Sequence, residues 1–363
     1  MDRTDHMNRP PSHKKSVLLA LVVVTFLVVL LFLLNRCSHK ATLTPVRIGW
    51  QVAWATQGQI AQVLRHTNIL AMNGLEGQFY GFTYGAPLNE AALAGNIDVG
   101  FVADQLATSL IARGGKFKIV ARLIYFRAGI IVPPESNIKT VEDLKGKTIA
   151  IPFGSTTHRI VLGMLQDAGL DPSKDLKIIN MDITDQSGVV LAGTATQWKG
   201  GVDALASWDP NIAIFVSKGD ARVLKSGVGL GVVYMSDDFI EKHRGAAISF
   251  LKAYIEAYYY YITHQAQAND WFAKEARIEF DPSLLNVAAS FEPNMKARTL
   301  SQIDVGIHPQ DIKTMEDGAK FAFTLRLTAT KPDMAAVVDT TLLSEAEKQV
   351  SRSNFGSSKV EVQ

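Results

Sequence analysis

The chain has 363 residues, 47% of them hydrophobic and 20% charged, with 37 basic against 35 acidic side chains and a formal net charge of +2. That length allows two lobes around sizeable cores, and so small a positive excess, with no basic block, gives no footing for nucleic acid. The single cysteine, Cys37, excludes an intramolecular disulfide framework and any structural zinc site built on cysteines.

The first feature along the chain is an uncharged apolar run from Ser16 to Leu34. As a helix it spans roughly 28 Å, close to the ~30 Å hydrocarbon core of a bilayer. It exceeds an ordinary signal-peptide core, and no small-x-small cleavage site follows it. The reading is a signal anchor at 16–34, with residues 1–15 cytoplasmic, a linker at 35–45 and the body outside the cytoplasm. Lipidation of Cys37 is the competing use, but Arg36 stands where that processing wants a small residue.

From Val46 the pattern is strand, loop, helix, repeated. VRIGWQ (46–51), GQFYGFTYGAP (77–87) and IDVGFVAD (97–104) predict three strands, with helices after the first, at LNEAALAGN and at QLATSLIARGG, the last two stopped by glycines. FKIVARLIY and AGIIVPP read as further strands, and Thr140 with Asp143 as a capping box for a one-turn helix. KTIAIPF, LKIINMDI and VDALASW continue the alternation, followed by the apolar strand GVGLGVVYMS (227–236). Beyond Asp237 the chain is mostly helical, and its last residues are polar and predicted to fray. Strands alternating with short helices imply an α/β fold of parallel sheets with helices on both faces.

In open α/β sheets, ligands bind outside the carboxyl ends of the strands, so the residues after each predicted strand are the candidate binding set. These are Trp54, Thr56 and Gln57 after the first, and Asp104 and Gln105 after the third. Ser155, Thr156, Thr157 and His158 follow TIAIPF, Gln186 follows IINMDI, and Trp208 and Asp209 follow VDALAS. The run GSTTHR places His158 and Arg159 in a first helical turn, where a cation opposes the helix dipole. A bound anion at that terminus would compensate them; alternatively Ser or Thr caps the helix and both basic groups face solvent. Asp104 and Asp209 likewise serve either as helix caps or as site residues. GxSxG, HExxH, GxxxxGK[ST] and strand-following GxGxxG motifs are absent, and the eight histidines lack metal-ligand spacing. No metal and no cofactor are expected.

Three stretches, NEAALAGNIDVGFVAD, TVEDLKGKTIAIPFGSTTHRIVLGMLQDAGLDP and GGVDALASWDPNIAIF, resemble the solute-binding proteins of sulfonate/nitrate/taurine-type ABC transporters. The resemblance covers about Val46 to Thr330. It implies a type II periplasmic-binding fold, two α/β lobes joined by two crossover strands, preceded here by one N-terminal transmembrane helix. Lobe 1 would contain 46–128 and 232–340, lobe 2 would contain 129–231, and 341–363 would be a flexible tail. The implied activity is non-enzymatic: capture of a small organic anion or zwitterion between the lobes and delivery to an ABC permease and its ATPase, at the inner membrane. VADQ departs from the GDxP-like form frequent in the family. The rival expectations are a ligand sensor acting on a membrane partner and a thiamine-pyrimidine-precursor protein. The latter's branch uses a cysteine-rich motif, which this chain lacks.

Overall fold

The structure, a computed structural model, describes residues 43–277 and 281–363. The predicted anchor at 16–34 and Cys37 lie outside the described residues. Among the described residues, no helix is long and apolar enough to cross a membrane.

Eight strands form one mixed sheet: β1 (Thr44–Gln51), β2 (Leu75–Phe82), β3 (Val99–Ala103), β4 (Phe117–Val132), β5 (Thr148–Ile151), β6 (Lys177–Asn180), β7 (Ala204–Trp208) and β8 (Arg222–Ser236), in the order β2-β1-β3-β8-β4-β7-β5-β6. The principal helices are α1 (Gln57–His66), α2 (Gly85–Leu93), α3 (Asp104–Ala112), α4 (Thr156–Asp167), α5 (Gln186–Leu191), α6 (Asn211–Ser217), α7 (Arg244–Thr263), α8 (Gln265–Glu275), α9 (Pro309–Thr324) and α10 (Thr341–Val350). β1 pairs in parallel with β2 and β3, and β5 in parallel with β6 and β7. Such strands need crossover connections, which the intervening helices supply.

The two parallel sets meet on β4 and β8, which pair antiparallel from Phe117↔Ser236 to Val132↔Arg222. β3 joins only the second half of β8, and β7 only the second half of β4. At 16 residues β4 spans roughly 50 Å, enough to serve both halves. FKIVARLIY and AGIIVPP, two strands by sequence, are one, because Phe126 and Arg127 between them continue the ladder, and only Pro133 ends it. Gly129 permits the pairing: a Cβ there would lie 2.3 Å from the Lys225 carbonyl oxygen. GVGLGVVYMS is likewise the later part of the longer β8.

β3, VGFVA, is buried at every position, as a central strand covered on both faces must be. One apolar cluster gathers Ile48, Trp50, Phe101, Ile124 and the inward face of α7. Two others, around Ile130, Ile149 and Val161 and around Leu205, Ile212 and Phe215, draw only on residues between 130 and 224. Within the tyrosine run of α7, Tyr258 and Tyr261 are fully buried and Tyr259 is half-exposed, so the run supplies core and surface together.

The segment 341–363 is not the flexible tail that its polar composition predicts. Residues 341–350 form α10, whose Leu342, Leu343, Ala346 and Val350 are buried in the large cluster with α7. The final residues are tied to the loop after α1, with Gln363 N–H donating to the His66 carbonyl at 2.9 Å. Four apolar side chains at helical spacing outweigh the polar composition around them.

Candidate functional site

A cavity of about 350 Å³ lies where the strand ends of the two halves face one another. The first half contributes Trp54 from the loop after β1, Tyr84 just before α2, Asn89 in its middle, and Phe126 from β4. The second half contributes Pro152 to Thr157, Ile183 and Trp208. Most of these surfaces are apolar or aromatic, so the cavity suits a ligand with a hydrophobic body and few polar contacts.

Trp54 is 3% exposed and meets Phe126 edge to face, with ring centroids 4.9 Å apart. Its approach depends on Gly231, where a Cβ would sit 3.0 Å from the indole. The loop carrying it is over-determined. Gln57 donates through Nε2 to the Trp54 carbonyl at 2.7 Å and also to the Gln51 carbonyl, and Gln59 Oε1 accepts from Thr56 N–H at 2.6 Å. Thr56 holds φ at 70°, a left-handed conformation that a β-branched residue adopts only under such constraint. The Trp54 indole Nε1 is buried with no hydrogen-bond partner among the described residues.

Facing it is the start of α4. Ser155 caps this helix, its Oγ accepting from His158 N–H at 3.0 Å while donating to the Pro152 carbonyl at 2.7 Å. The cap leaves the N–H groups of Thr156 and Thr157 without intrahelical acceptors, at the end of the helix where partial positive charge collects. Thr157 lines the cavity, is 1% exposed, and its Oγ1 has no partner. Two lining residues, Trp54 and Thr157, thus carry buried donors without protein partners among the described residues, beside the helix-terminal N–H groups of α4. Arg113, paired with Glu90, brings a guanidinium to the same lining. This is an acceptor-binding arrangement.

Of the predicted site residues, the structure places Trp54, Ser155, Thr156, Thr157 and Trp208 around the cavity. Thr56, Gln57, Asp104, Gln105, His158, Gln186 and Asp209 stand behind its wall. Asp104 is fully buried and binds Arg159 through Oδ2, and its Oδ1 accepts from Thr156 Oγ1 at 2.5 Å. Asp209 receives a forked pair from Arg127, 2.9 Å from Nε and 2.6 Å from the terminal nitrogen, and accepts from Ala213 N–H. Burial holds the Asp209 carboxyl above its ordinary value, against the Arg127 guanidinium, which lowers it. Gln186 bridges α5 to β7, donating to the Ala206 carbonyl at 2.8 Å and accepting from Ser207 Oγ at 2.7 Å.

The basic pair in GSTTHR needs no ligand to balance it. Arg159 is neutralised by Asp104. His158 is held neutral: burial lowers its pKa to about 4, its Nδ1 accepts from Gly154 N–H at 3.2 Å, and its ring stacks on Phe153. Strand-tip reasoning missed Tyr84, Arg113, Phe126, Asp182 and Ile183. Tyr84 follows β2, but the predicted strand ran on to Pro87 and enclosed it. Phe126 lies inside β4 and carries no tip signal. Among the described residues, no group of three or more His, Cys, Asp or Glu side chains could hold a metal ion.

The chain is similar to several known proteins. It is 32% identical over 217 residues to an Escherichia coli K12 protein assigned as an aliphatic sulfonates-binding protein, and 28% identical over 224 residues to that strain's taurine-binding periplasmic protein. These matches take in 56% and 59% of this chain, and 62% and 66% of the relatives, so the chain spans less than two thirds of either relative's length. Among solved structures, the alkanesulfonate-binding protein SsuA of Xanthomonas axonopodis pv. citri, bound to MOPS, superposes with a TM-score of 0.67 at 24% identity. That superposition covers 82% of this chain and 99% of that one. The desulfurization enzyme DszB shares the fold at a TM-score of 0.62 and 14% identity, covering 84% of this chain and 99% of that one, so the architecture by itself does not separate binding from catalysis. The family described as NMT1/THI5 like matches residues 83–268, just over half of the sequence, and the chain belongs to that family.

Proposed function

We propose that this protein is an extracytoplasmic solute-binding component of an ABC transporter, anchored by residues 16–34, and that its ligand is a small organic anion with an apolar tail. A sulfonate or carboxylate head would sit at the start of α4, accepting from the Thr156 and Thr157 amides, Thr157 Oγ1 and Trp54 Nε1. The tail would lie against Phe126, Ile183 and Trp208. Residues 46–128 with 232–340 would act as one lobe and 129–231 as the other, with β4 and β8 as the hinge. The ligand stabilises the closed arrangement because it touches both lobes at once.

The observation that carries this reading is the pair of buried, unpartnered donors, Trp54 Nε1 and Thr157 Oγ1, in residues that line one apolar cavity from opposite halves. An unmade buried hydrogen bond costs about 1–3 kcal/mol, which a bound acceptor would recover. Asp104 and Asp209, the carboxylates placed by sequence to meet a ligand amine, are each bound to an arginine, and Asp182 is the carboxylate among the lining residues.

Isothermal titration with ethane-, butane- and hexanesulfonate tests the tail. Each buried methylene is worth about 0.8 kcal/mol, close to a fourfold gain in affinity, and taurine should bind more weakly than any alkanesulfonate longer than it. A flat series, or taurine as the tightest of the set, would sink the apolar-tail reading.

A further inference from the structure

α3 belongs to the first parallel set, α4 to the second, and α9 comes from the C-terminal part of the chain, yet all three meet at one buried junction. Asp104, at the first position of α3, binds Arg159 of α4 through one carboxylate oxygen and Thr156 of α4 through the other. Thr156 Oγ1 in turn accepts from Gln105 N–H at 3.3 Å. Gln105 Nε2 donates to the Gly318 carbonyl of α9 at 3.3 Å. Gly318 lets α9 settle on the pair: a Cβ there would lie 3.1 Å from Gln105 Oε1 and 3.7 Å from Arg159 Nε. Phe321, one turn further along α9, meets the His158 ring edge to face at 5.4 Å.

We infer that this three-helix junction is a clasp that holds the two halves together over the cavity before any ligand enters, with Asp104 and Arg159 as positioning residues for the start of α4. Asp104 is fully buried, whereas the Arg159 side chain keeps 16% of its surface in water. Separating the halves therefore rehydrates an ion pair that is already close to solvent. Gln105 Oε1 and Arg159 Nε are buried without partners among the described residues. The closed junction thus leaves polar groups that the open one would hydrate, and the two arrangements lie closer in free energy than a fully satisfied interface would allow. Thr156 and Thr157 are adjacent on α4, so the bonds that fix Thr156 to Asp104 and Gln105 also fix where Thr157 points. Only the consequence for affinity rests on the reading of the cavity as a ligand cleft; the clasp itself does not.

The test is a distance measurement across the sheet. β2 and β6 are its two edge strands, and Glu76 on one and Lys177 on the other are exposed. The full chain in detergent, with Cys37→Ser, carries spin labels at Glu76→Cys and Lys177→Cys and is measured by pulsed electron resonance with and without sodium pentanesulfonate. The unliganded parent is expected to give a distribution dominated by one short distance, which pentanesulfonate narrows further. Asp104→Asn with Arg159→Met, which removes both charges together, is expected to give a longer and broader unliganded distribution at an unchanged melting temperature. With the closed fraction reduced to about a tenth, pentanesulfonate would bind about tenfold more weakly. Gly318→Val, which wedges α9 away and leaves the charges in place, should shift the distance the same way, and it decides the matter if the double variant does not fold. Identical unliganded distributions in parent and variants, or a parent already as broad as the variants, would overturn the clasp. Failure of pentanesulfonate to bind the parent would count against the proposed ligand and leave the unliganded comparison intact.

Discussion

Thr157 carries an oxygen that is buried and bonded to nothing among the described residues, and its neighbour Thr156 carries one bonded twice. The two hydroxyls are indistinguishable in sequence, and their roles differ because the helix turns about 100° between them. Thr157→Val is expected to weaken alkanesulfonate binding about tenfold, the value of one lost hydrogen bond of ~1–1.5 kcal/mol, with the melting temperature nearly unchanged. Titration calorimetry with differential scanning fluorimetry checks both halves of that statement. His158 gives a pH prediction. Its imidazole titrates near 6.5 when unfolded and at about 4 when folded, because burial disfavours the cation. Between those values the unfolded chain binds more protons, so stability rises with pH, and it is lost as pH falls from 6.5 toward 4. The contribution is on the order of 3 kcal/mol. His158→Gln should flatten that part of the profile of urea midpoint against pH; an unchanged slope would mean that the folded imidazole titrates normally. The rule that ligands gather at strand tips placed Trp54, Ser155, Thr156, Thr157 and Trp208 around one cavity. It could not separate them from Gln57, Asp104 and Asp209, because a position in sequence does not say whether a side chain turns into the cavity or back into the wall.

At the scale of elements, the helices that frame the cavity are legible from their ends. Gly95 and Gly114 hold φ at 76° and 86° just past α2 and α3, the left-handed stop that their sequence context predicts. The 3₁₀ turn at Glu142–Leu144 forms where Thr140 and Asp143 placed it, with Thr140 N–H donating to the Asp143 carboxylate at 2.9 Å. α10 is the element that composition hid. Its buried Leu342, Leu343, Ala346 and Val350 are together worth on the order of 5 kcal/mol of burial. Deletion of 341–363 is therefore expected to lower the melting temperature by more than 10 °C, at about 2–4 °C per kcal/mol for a domain of this class. A truncated chain that melts with the parent would show that α10 adds nothing. The same deletion uncovers the part of the large apolar cluster that α10 packs on, so aggregation on heating should rise with it.

For the whole molecule, alternation of strands and helices foretold the α/β class and the parallel pairing within β1, β2 and β3 and within β5, β6 and β7, since both follow from local periodicity and short connections. The expected all-parallel sheets are instead one mixed sheet, because β4 and β8 pair antiparallel with each other and with β7 and β3. The joining of the two parallel sets through β4 and β8 follows from nothing local. It depends on pairings between positions as far apart as Phe117 and Ser236. Ligand that binds only the folded chain stabilises it by mass action. Alkanesulfonate at 100 times its dissociation constant should add about 2.7 kcal/mol, a rise of several degrees in melting temperature. A melting temperature that stays flat while calorimetry records binding would mean that the unfolded chain binds as well.

The placement of β8 also bears on how the molecule is assembled. β3 has β1 on one side and β8 on the other, and its partner stretch Gly231–Met235 is synthesised more than a hundred residues later. Until that stretch leaves the ribosome, an entirely apolar strand waits with one edge bare, which is an invitation to pair with a neighbouring nascent chain. The intervening residues 133–221 complete β5, β6 and β7 in the meantime. The nascent half-sheet around β1, β2 and β3 is therefore the stage at which a holdase chaperone should be found bound, and its release should coincide with the emergence of β8.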